Sequence, residues 1–115
     1  MGMMFGFGEH RRRLLQEELT RIAGELPSLG ARGTILLNHI LSDVPVAPDT
    51  ELELLVVLET DEPFHRRSDF LVSHLRPRVG TRFLTYTPAE IAELRNTDPV
   101  LHNAFANGHV LDAIR

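Results

Sequence analysis

The chain of 115 residues contains no cysteine, no tryptophan and no lysine. Without cysteine there is no disulfide scaffold, no thiolate zinc site and no cysteine nucleophile. Without lysine the chain lacks the amine that P-loop and Schiff-base chemistry require. Its longest apolar stretch, 52–58, is interrupted by Glu53 and is far shorter than the roughly 20 residues of a membrane span. We therefore expect no membrane association and, because no secretory signal is recognisable, a cytoplasmic location.

The composition is typical of one globular domain. Hydrophobic residues make up 43% and charged residues 24% of the chain, and this length supports a single core, so we expect one domain over residues 1–115. The net charge of −4 argues against general nucleic-acid binding. Gly2, Gly6 and Gly8 interrupt the start of the chain, and residues 1–8 are expected to form a flexible lead-in to the first helix.

Apolar spacing and turn residues predict the element order αββαβααβ. The predicted strands cover 34–37, 51–59, 81–86 and 109–114, and the predicted helices begin near Glu9, Asp61, Thr87 and Asp98. Pro27, Gly30 and Gly33 are predicted to end the first helix, Thr87 and Glu90 to form a capping box, and Asp98 to cap the last helix. The run Arg11–Arg13 in the first helix is interpreted as a solvated surface or as a contact for an anionic partner. The continuous apolar run Leu54–Leu58 is typical of a central strand covered on both faces. The second helix, with Asp61 or Glu62 as its cap and Pro63 in its first turn, is expected to bury Phe64, Leu71 and Leu75. These elements predict an α/β (α+β) fold, a mixed sheet flanked by helices that lie mostly on one face.

Two carboxylates stand at the start of the strongest predicted strand. Because side chains alternate along a strand, Glu51 and Glu53 are expected on the same face, with backbones roughly 7 Å apart. Paired carboxylate oxygens are ligands that Mg²⁺ prefers. His39 together with Glu51 or Glu53 is an alternative zinc site, since imidazole and carboxylate suit Zn²⁺. Charged residues that simply face water at the start of a strand are the simpler interpretation.

The order of the motifs resembles the minimal nucleotidyltransferases of the DNA polymerase β-like superfamily. Thr50–Val57 resembles the family's acidic second strand, Tyr86–Glu90 resembles its Tyr-Thr-Pro-x-Glu helix start, and Phe105–Leu111 resembles its closing helix and strand. The resemblance covers roughly Leu14 to Ile114. It implies the nucleotidyltransferase fold and transfer of a nucleoside monophosphate from a nucleoside triphosphate such as ATP, with Mg²⁺ bound by carboxylates.

The family's functional positions fall on altered residues in this chain. Its Gly-Ser, where the nucleotide phosphates bind, corresponds to Asn38-His39, and its two catalytic, metal-binding aspartates correspond to Glu51 and Glu53. Its third carboxylate corresponds to Arg82, whose fixed positive charge repels a metal ion. An ion pair between Arg82 and either glutamate would replace the metal site.

These changes lead to the hypothesis of a nucleotidyltransferase-like protein with a degenerate active site. It is expected to act through a protein partner, as the antitoxin of a HEPN/MNT-type pair does, or as a homodimer, with the apolar residues Met3, Met4, Phe5 and Phe7 suited to an interface. The alternatives are an active Mg²⁺-dependent adenylyltransferase, with Mg²⁺ and ATP as cofactors, and a small metal-binding scaffold. Without activity, no cofactor is required.

Overall fold

The computed structural model describes residues 2–43 and 45–115, with side chains described from Gly8 onward. The elements, in chain order, are α1 (Gly2–Glu25), a 3₁₀ turn (Leu26–Leu29), β1 (Ala31–Leu36), β2 (Leu52–Leu58), α2 (Phe64–Leu75), β3 (Thr81–Tyr86), α3 (Pro88–Leu94), α4 (Pro99–Asn107) and β4 (His109–Asp112). The predicted element order is confirmed apart from the added 3₁₀ turn.

The four strands form one mixed sheet in the order β3-β2-β1-β4. β1 is antiparallel to both β2 and β4, whereas β2 and β3 are parallel. The parallel pair is joined by α2, which provides the long crossover that such a connection needs. The predicted class, a mixed sheet flanked by helices, is confirmed.

Alternate residues of β2 point into two separate hydrophobic clusters, one on each face of the sheet. Leu54 and Val56 belong to a cluster with residues of α1 and α2, and Leu55 and Val57 belong to a cluster with residues of α3 and α4. The prediction of a central strand covered on both faces is therefore confirmed. The prediction that the helices lie mostly on one face is wrong, because each face is covered by two of them.

Several predicted boundaries differ from the structure. Strand β2 covers Leu52–Leu58 rather than 51–59, β4 covers His109–Asp112 rather than 109–114, and α2 begins at Phe64 rather than near Asp61. Helix α1 begins at Gly2 rather than at Glu9, so it includes residues 2–8, the expected lead-in; Met1 lies outside the described residues, as do the side chains of Met3, Met4, Phe5 and Phe7. Strand β1 begins at Ala31 rather than at Thr34. Gly33, interpreted as a helix terminator, lies within β1 at an irregularity in its pairing with β2, a place where strands often carry glycine.

Side-chain burial also corrects one prediction. Leu71 and Leu75 of α2 are buried as expected, whereas Phe64 is 48% exposed. The buried residue near the start of α2 is instead Arg67. Its guanidinium donates to Glu90 and to the Thr85 carbonyl oxygen, so this helix is attached to the sheet by polar contacts as well as by leucines.

Two of the predicted caps are confirmed, at the starts of α3 and α4. The predicted cap of α2 by Asp61 or Glu62 is wrong, because the N-cap residue is Pro63 and no side chain caps this helix. Thr87 and Glu90 form a reciprocal capping box at the start of α3, with Pro88 in the first turn. The Asp98 side chain accepts hydrogen bonds from the first backbone amides of α4. Both contacts satisfy amides that a helix leaves without internal partners. Among the described residues, no helix combines the length and the hydrophobicity that a membrane span requires.

Candidate functional site at one end of the sheet

The sheet topology brings all of the predicted site residues to one end of the molecule. Because β1 is antiparallel to β2 and β2 is parallel to β3, the end of β1 lies beside the starts of β2 and β3. Asn38 and His39 follow β1, Glu51 immediately precedes β2, Glu53 lies at the start of β2, and Arg82 lies near the start of β3. The sequence resemblance placed these residues in one site, and the backbone places them at one sheet end.

Glu53 and Arg82 are direct neighbours across the parallel pair, since their Cα atoms are register partners. Both point to the face that carries Leu55 and Leu84 further along the strands. Glu53 is half-buried and Arg82 is exposed. The described residues contain no ion pair between Arg82 and either glutamate, so the guanidinium lies beside the carboxylate strand without being bound to it.

The Glu51 side chain lies over Gly80, the residue that precedes β3. A Cβ atom built on Gly80 would come within 2.3 Å of Glu51 Oε2 and 2.9 Å of Glu51 Cδ. The Leu52 amide donates to the Gly80 carbonyl oxygen at 2.9 Å, which holds the two backbones together. The Glu51 side chain therefore lies directly over the Gly80 backbone, and a larger residue at position 80 would require the exposed glutamate side chain to move.

Asn38 has a structural contact at the position that the resemblance assigns to nucleotide binding. Its Nδ2 donates to the Glu51 carbonyl oxygen at 2.5 Å and so connects the end of β1 to the start of β2. The next residue, His39, is exposed, and its carbonyl oxygen accepts from both the Ser42 amide and the Ser42 hydroxyl. These contacts form a turn after β1.

Two arginines of α1 hold the segment between β1 and β2. Arg11 donates to the Thr50 carbonyl oxygen at 2.5 Å, and Arg12 donates to the carbonyl oxygens of Ile40 and Ser42. Sequence reasoning treated the run Arg11–Arg13 as a solvated surface or a contact for an anionic partner, and missed this role. No local pattern signals it, because the acceptors are backbone oxygens distant in sequence.

Two adjoining clefts open at this end of the sheet. The first, of about 370 Å³, is lined by Leu37, His39, Asn103, Ala104, Asn107 and Gly108. The second, of about 310 Å³, shares His39, Asn107 and Gly108 with it. His109, which starts β4, lines only the second. Sequence reasoning did not assign any residue of α4 to the site, because the packing of α4 against β1 is a tertiary contact.

Helix α4 reaches this position because its last residue is followed by a glycine. A Cβ atom on Gly108 would lie 2.4 Å from Ile35 Cγ2 and 2.5 Å from the Ala104 carbonyl oxygen. The bare backbone thus allows the end of α4 to pack directly on β1. The first cleft lies between this helix end and the residue after β1.

The residues at the sheet end fit a two-metal centre poorly. Arg82, which the resemblance aligns with the family's third carboxylate, is in register with Glu53, and a guanidinium beside a carboxylate opposes the binding of a divalent cation. Within the described ranges, no three histidine or carboxylate side chains are grouped to hold a metal ion. Comparison of the chain with protein-family models, with curated proteins and with solved structures returned no match.

Proposed function

We propose that the chain is a nucleotidyltransferase-like module that lacks two-metal nucleotidyl transfer and acts by binding a protein partner, as the antitoxin of a HEPN/MNT-type pair does. The observation that carries this proposal is the register of Glu53 with Arg82. This register supports the proposal, because the resemblance aligns Arg82 with the family's third metal-binding carboxylate and a fixed positive charge beside Glu53 opposes metal binding. The turn between His39 and Ser42, at the position that the resemblance assigns to a phosphate-binding Gly-Ser, supports the same conclusion.

Exposed apolar side chains near one edge of the sheet support the partner-binding half of the proposal. β4 is the last strand on its side of the sheet, and its residue Val110 is 57% exposed. Leu41 is 44% exposed, and Ile114, which follows β4, is 37% exposed. An edge strand with apolar neighbours is a surface on which proteins associate.

Calorimetric titration with ATP tests the first part of the proposal, that the chain lacks two-metal nucleotidyl transfer. The wild-type chain is expected to show no ATP binding that depends on Mg²⁺, because Arg82 repels the cation. Arg82→Asp restores the missing carboxylate beside Glu53, so Mg²⁺ is expected to bind this variant at least about tenfold more tightly than the wild type. Addition of Glu53→Ala to Arg82→Asp is expected to remove the gain.

Arg66→Asp is the matched control for this experiment. Arg66 is exposed on α2, outside the candidate site, and its replacement changes the net charge by the same amount. A gain of Mg²⁺ affinity in both variants would show a general charge effect. ATP binding by the wild type that requires both Mg²⁺ and Glu53 would contradict the proposal and favour the active adenylyltransferase.

Coexpression with a candidate partner tests the second part of the proposal, that the chain acts by binding another protein. A HEPN protein encoded beside the gene for this chain is the expected partner, and the two are expected to elute as one complex in size-exclusion chromatography with light scattering. Val110→Asp is expected to weaken the complex by placing a charge in the apolar surface. Separate elution of the two coexpressed proteins, or a gene neighbourhood without a HEPN protein, would contradict this assignment.

A further inference from the structure

A groove of about 500 Å³ runs along one side of α1, away from the two clefts at the sheet end. One wall is α1 itself, and the other consists of one residue from the connection between β1 and β2 and one residue of β4. The lining residues are Gln16, Leu19, Thr20, Ala23, Leu41 and Leu111. None of them is charged, and those of α1 recur at intervals of three and four residues, so they form a stripe along one side of the helix. We call this surface the α1 groove.

The polar side chains of the α1 groove are engaged within the chain. Thr20 Oγ1 donates to the Gln16 carbonyl oxygen at 3.0 Å, and Gln16 Nε2 donates to the Ile40 carbonyl oxygen at 3.3 Å. On the opposite wall, Leu41 is 44% exposed. The groove therefore presents mainly hydrocarbon, which is suited to packing against an element of a protein.

The side of α1 that lines this groove continues towards the start of the helix. Phe5 precedes Ala23 by about five turns of 3.6 residues, so the two positions lie on the same side of α1. Among the described side chains, those of α1 that pack in the hydrophobic core begin at Leu14. Because a helix in a protein owes most of its stability to packing, the first turns of α1 are expected to need a covering surface.

We propose that the α1 groove binds the first turns of α1 from a second copy of this chain. The two α1 helices then pack antiparallel about a two-fold axis, and position 5 of each copy lies opposite Ala23 of the other. The small side chains of Thr20 and Ala23 allow the two helix backbones to approach closely. A chain cannot fill its own groove in this way, because about 27 Å of continuous helix separates Phe5 from Ala23.

The exposed charges of α1 favour a second copy as the occupant. In the antiparallel register described above, Arg13 of one copy lies within about half a helical turn of Glu17 of the other. Both side chains are exposed, and the described residues contain no ion pair for either of them. The two-fold axis forms this pair of opposite charges twice, whereas a parallel arrangement would place Arg13 against Arg13.

This inference goes beyond the proposed function, because it concerns copies of the chain alone and requires no other protein, metal ion or transfer step. Val110, the residue changed to test the proposed partner surface, does not line the α1 groove. Failure of the coexpression experiment would therefore leave the expected self-association unchanged, and the two proposals are tested with different variants.

Light scattering after size-exclusion chromatography of the full chain, over a range of concentrations, tests the self-association. The chain of 13.0 kDa is expected to approach twice this mass at about 100 µM and to dissociate on dilution. Thr20→Asp places a charge in the apolar groove and is expected to weaken the dimer at least about tenfold. Circular dichroism shows whether the variant is folded.

Thr97→Asp is the matched control for this substitution. Thr97 is exposed between α3 and α4, and these helices cover the face of the sheet opposite to α1. The same chemical change at this position is therefore expected to leave the dimer unaffected. A reduced dimer affinity in both variants would show a general charge effect and contradict the proposal.

Disulfide cross-linking tests the antiparallel register. The chain has no cysteine, so a Glu9→Cys protein and a Thr20→Cys protein each carry a single thiol. Position 9 of one copy is expected beside position 20 of the other, so an oxidised mixture of the two proteins is expected to cross-link about tenfold faster than either protein alone. A mixture of Glu9→Cys with Thr97→Cys measures cross-linking by random collision.

Three results would overturn the proposal. The first is a wild-type chain that stays monomeric across the concentration range, and the second is a folded Thr20→Asp protein that dimerises as the wild type does. The third is a mixture of Glu9→Cys and Thr20→Cys that cross-links no faster than the mixture containing Thr97→Cys.

Discussion

At the scale of single residues, Glu18 shows how one buried carboxylate joins distant parts of the chain. It is 3% exposed and receives two bonds from Arg21, at 2.7 and 2.8 Å, and one from the Arg78 amide. Arg21 also donates to the carbonyl oxygen of Leu75. The hydrogen bonds from Arg21 are the main reason that the pKa of Glu18 is lowered to about 2. Glu18 therefore connects α1 to the segment between α2 and β3.

Because the folded-state pKa of Glu18 lies below its ordinary value, its stabilising effect is complete above about pH 5 and is lost as the pH falls towards 2. At about pH 6, Glu18→Gln is expected to lower the free energy of unfolding by about 2 kcal/mol. Near pH 3 the wild-type protein has itself lost roughly 2 kcal/mol of the folding free energy that ionised Glu18 contributes at higher pH. The difference between the two proteins, measured by urea denaturation, is therefore expected to shrink towards zero at that pH.

Glu17→Gln supplies the control for this pH dependence. Glu17 is the exposed neighbour of Glu18 on α1, so its substitution is expected to change the unfolding free energy by less than about 0.5 kcal/mol at both pH values. Equal effects of the two substitutions, or a Glu18→Gln difference that persists undiminished at low pH, would contradict the assigned role.

At the scale of the elements, the contact between α4 and β1 depends on a residue without a side chain. Gly108→Ala places a methyl group within 2.4 Å of Ile35 Cγ2 and 2.5 Å of the Ala104 carbonyl oxygen. Such overpacking is expected to lower the free energy of unfolding by about 1–3 kcal/mol. The measurement is the free energy of unfolding of the variant and the wild type, by thermal or chemical denaturation.

Gly24→Ala makes the same chemical change where there is room for it. Gly24 lies within α1, and no atom lies within 4 Å of a Cβ built on it. Since alanine is the better helix former, this variant is expected to be more stable than the wild type by about 0.5–1 kcal/mol. A matching loss of stability in both variants would mean that the close approach of α4 to β1 is not the cause.

At the scale of the whole molecule, the contacts of Arg11 and Arg12 connect the first helix to the candidate site. Arg11 bonds to Thr50, which precedes Glu51, and Arg12 bonds to Ile40 and Ser42 on the other side of the same segment. These contacts span 28 to 39 residues of sequence. Helix α1 therefore holds the connection between β1 and β2, and through it the position of the glutamates.

Hydrogen exchange measures this coupling. In the Arg11→Ala/Arg12→Ala double variant, the amides of Ser42 and Thr50, which are bonded within the segment, are expected to exchange roughly tenfold faster, since at least two hydrogen bonds to backbone oxygens are lost. Arg13→Ala, at an exposed position of the same run, is expected to leave these rates unchanged. Unaltered exchange in the double variant would show that the segment is held without α1.

Signals that are local in sequence predicted much of this fold. The capping box of Thr87 and Glu90, the Asp98 cap and the bounds of β3 are all present as predicted. Each depends on residues within a few positions of one another, where backbone chemistry is independent of the rest of the chain. The order of the motifs also placed Asn38, His39 and the two glutamates in one site, and these residues do lie at one end of the sheet.

Predictions that depended on distant neighbours failed or were absent. Phe64 was expected to be buried by its spacing, but the buried side chain near the start of α2 is Arg67, whose partners come from β3 and α3. The loop contacts of Arg11 and Arg12 had no local signal. Neither had the close approach of Gly108 to Ile35, which positions α4 beside the candidate site.

By itself, the sequence determined the type and order of the elements, the central burial of β2 and the excluded chemistries, because these depend on composition, periodicity and short-range hydrogen bonds. Only the tertiary structure decided that helices cover both faces of the sheet and that Glu53 lies in register with Arg82. It alone also showed that α4 lines a cleft with His39. These features depend on pairing between residues far apart in the chain, and a shift of one residue in strand register would have turned each side chain to the opposite face.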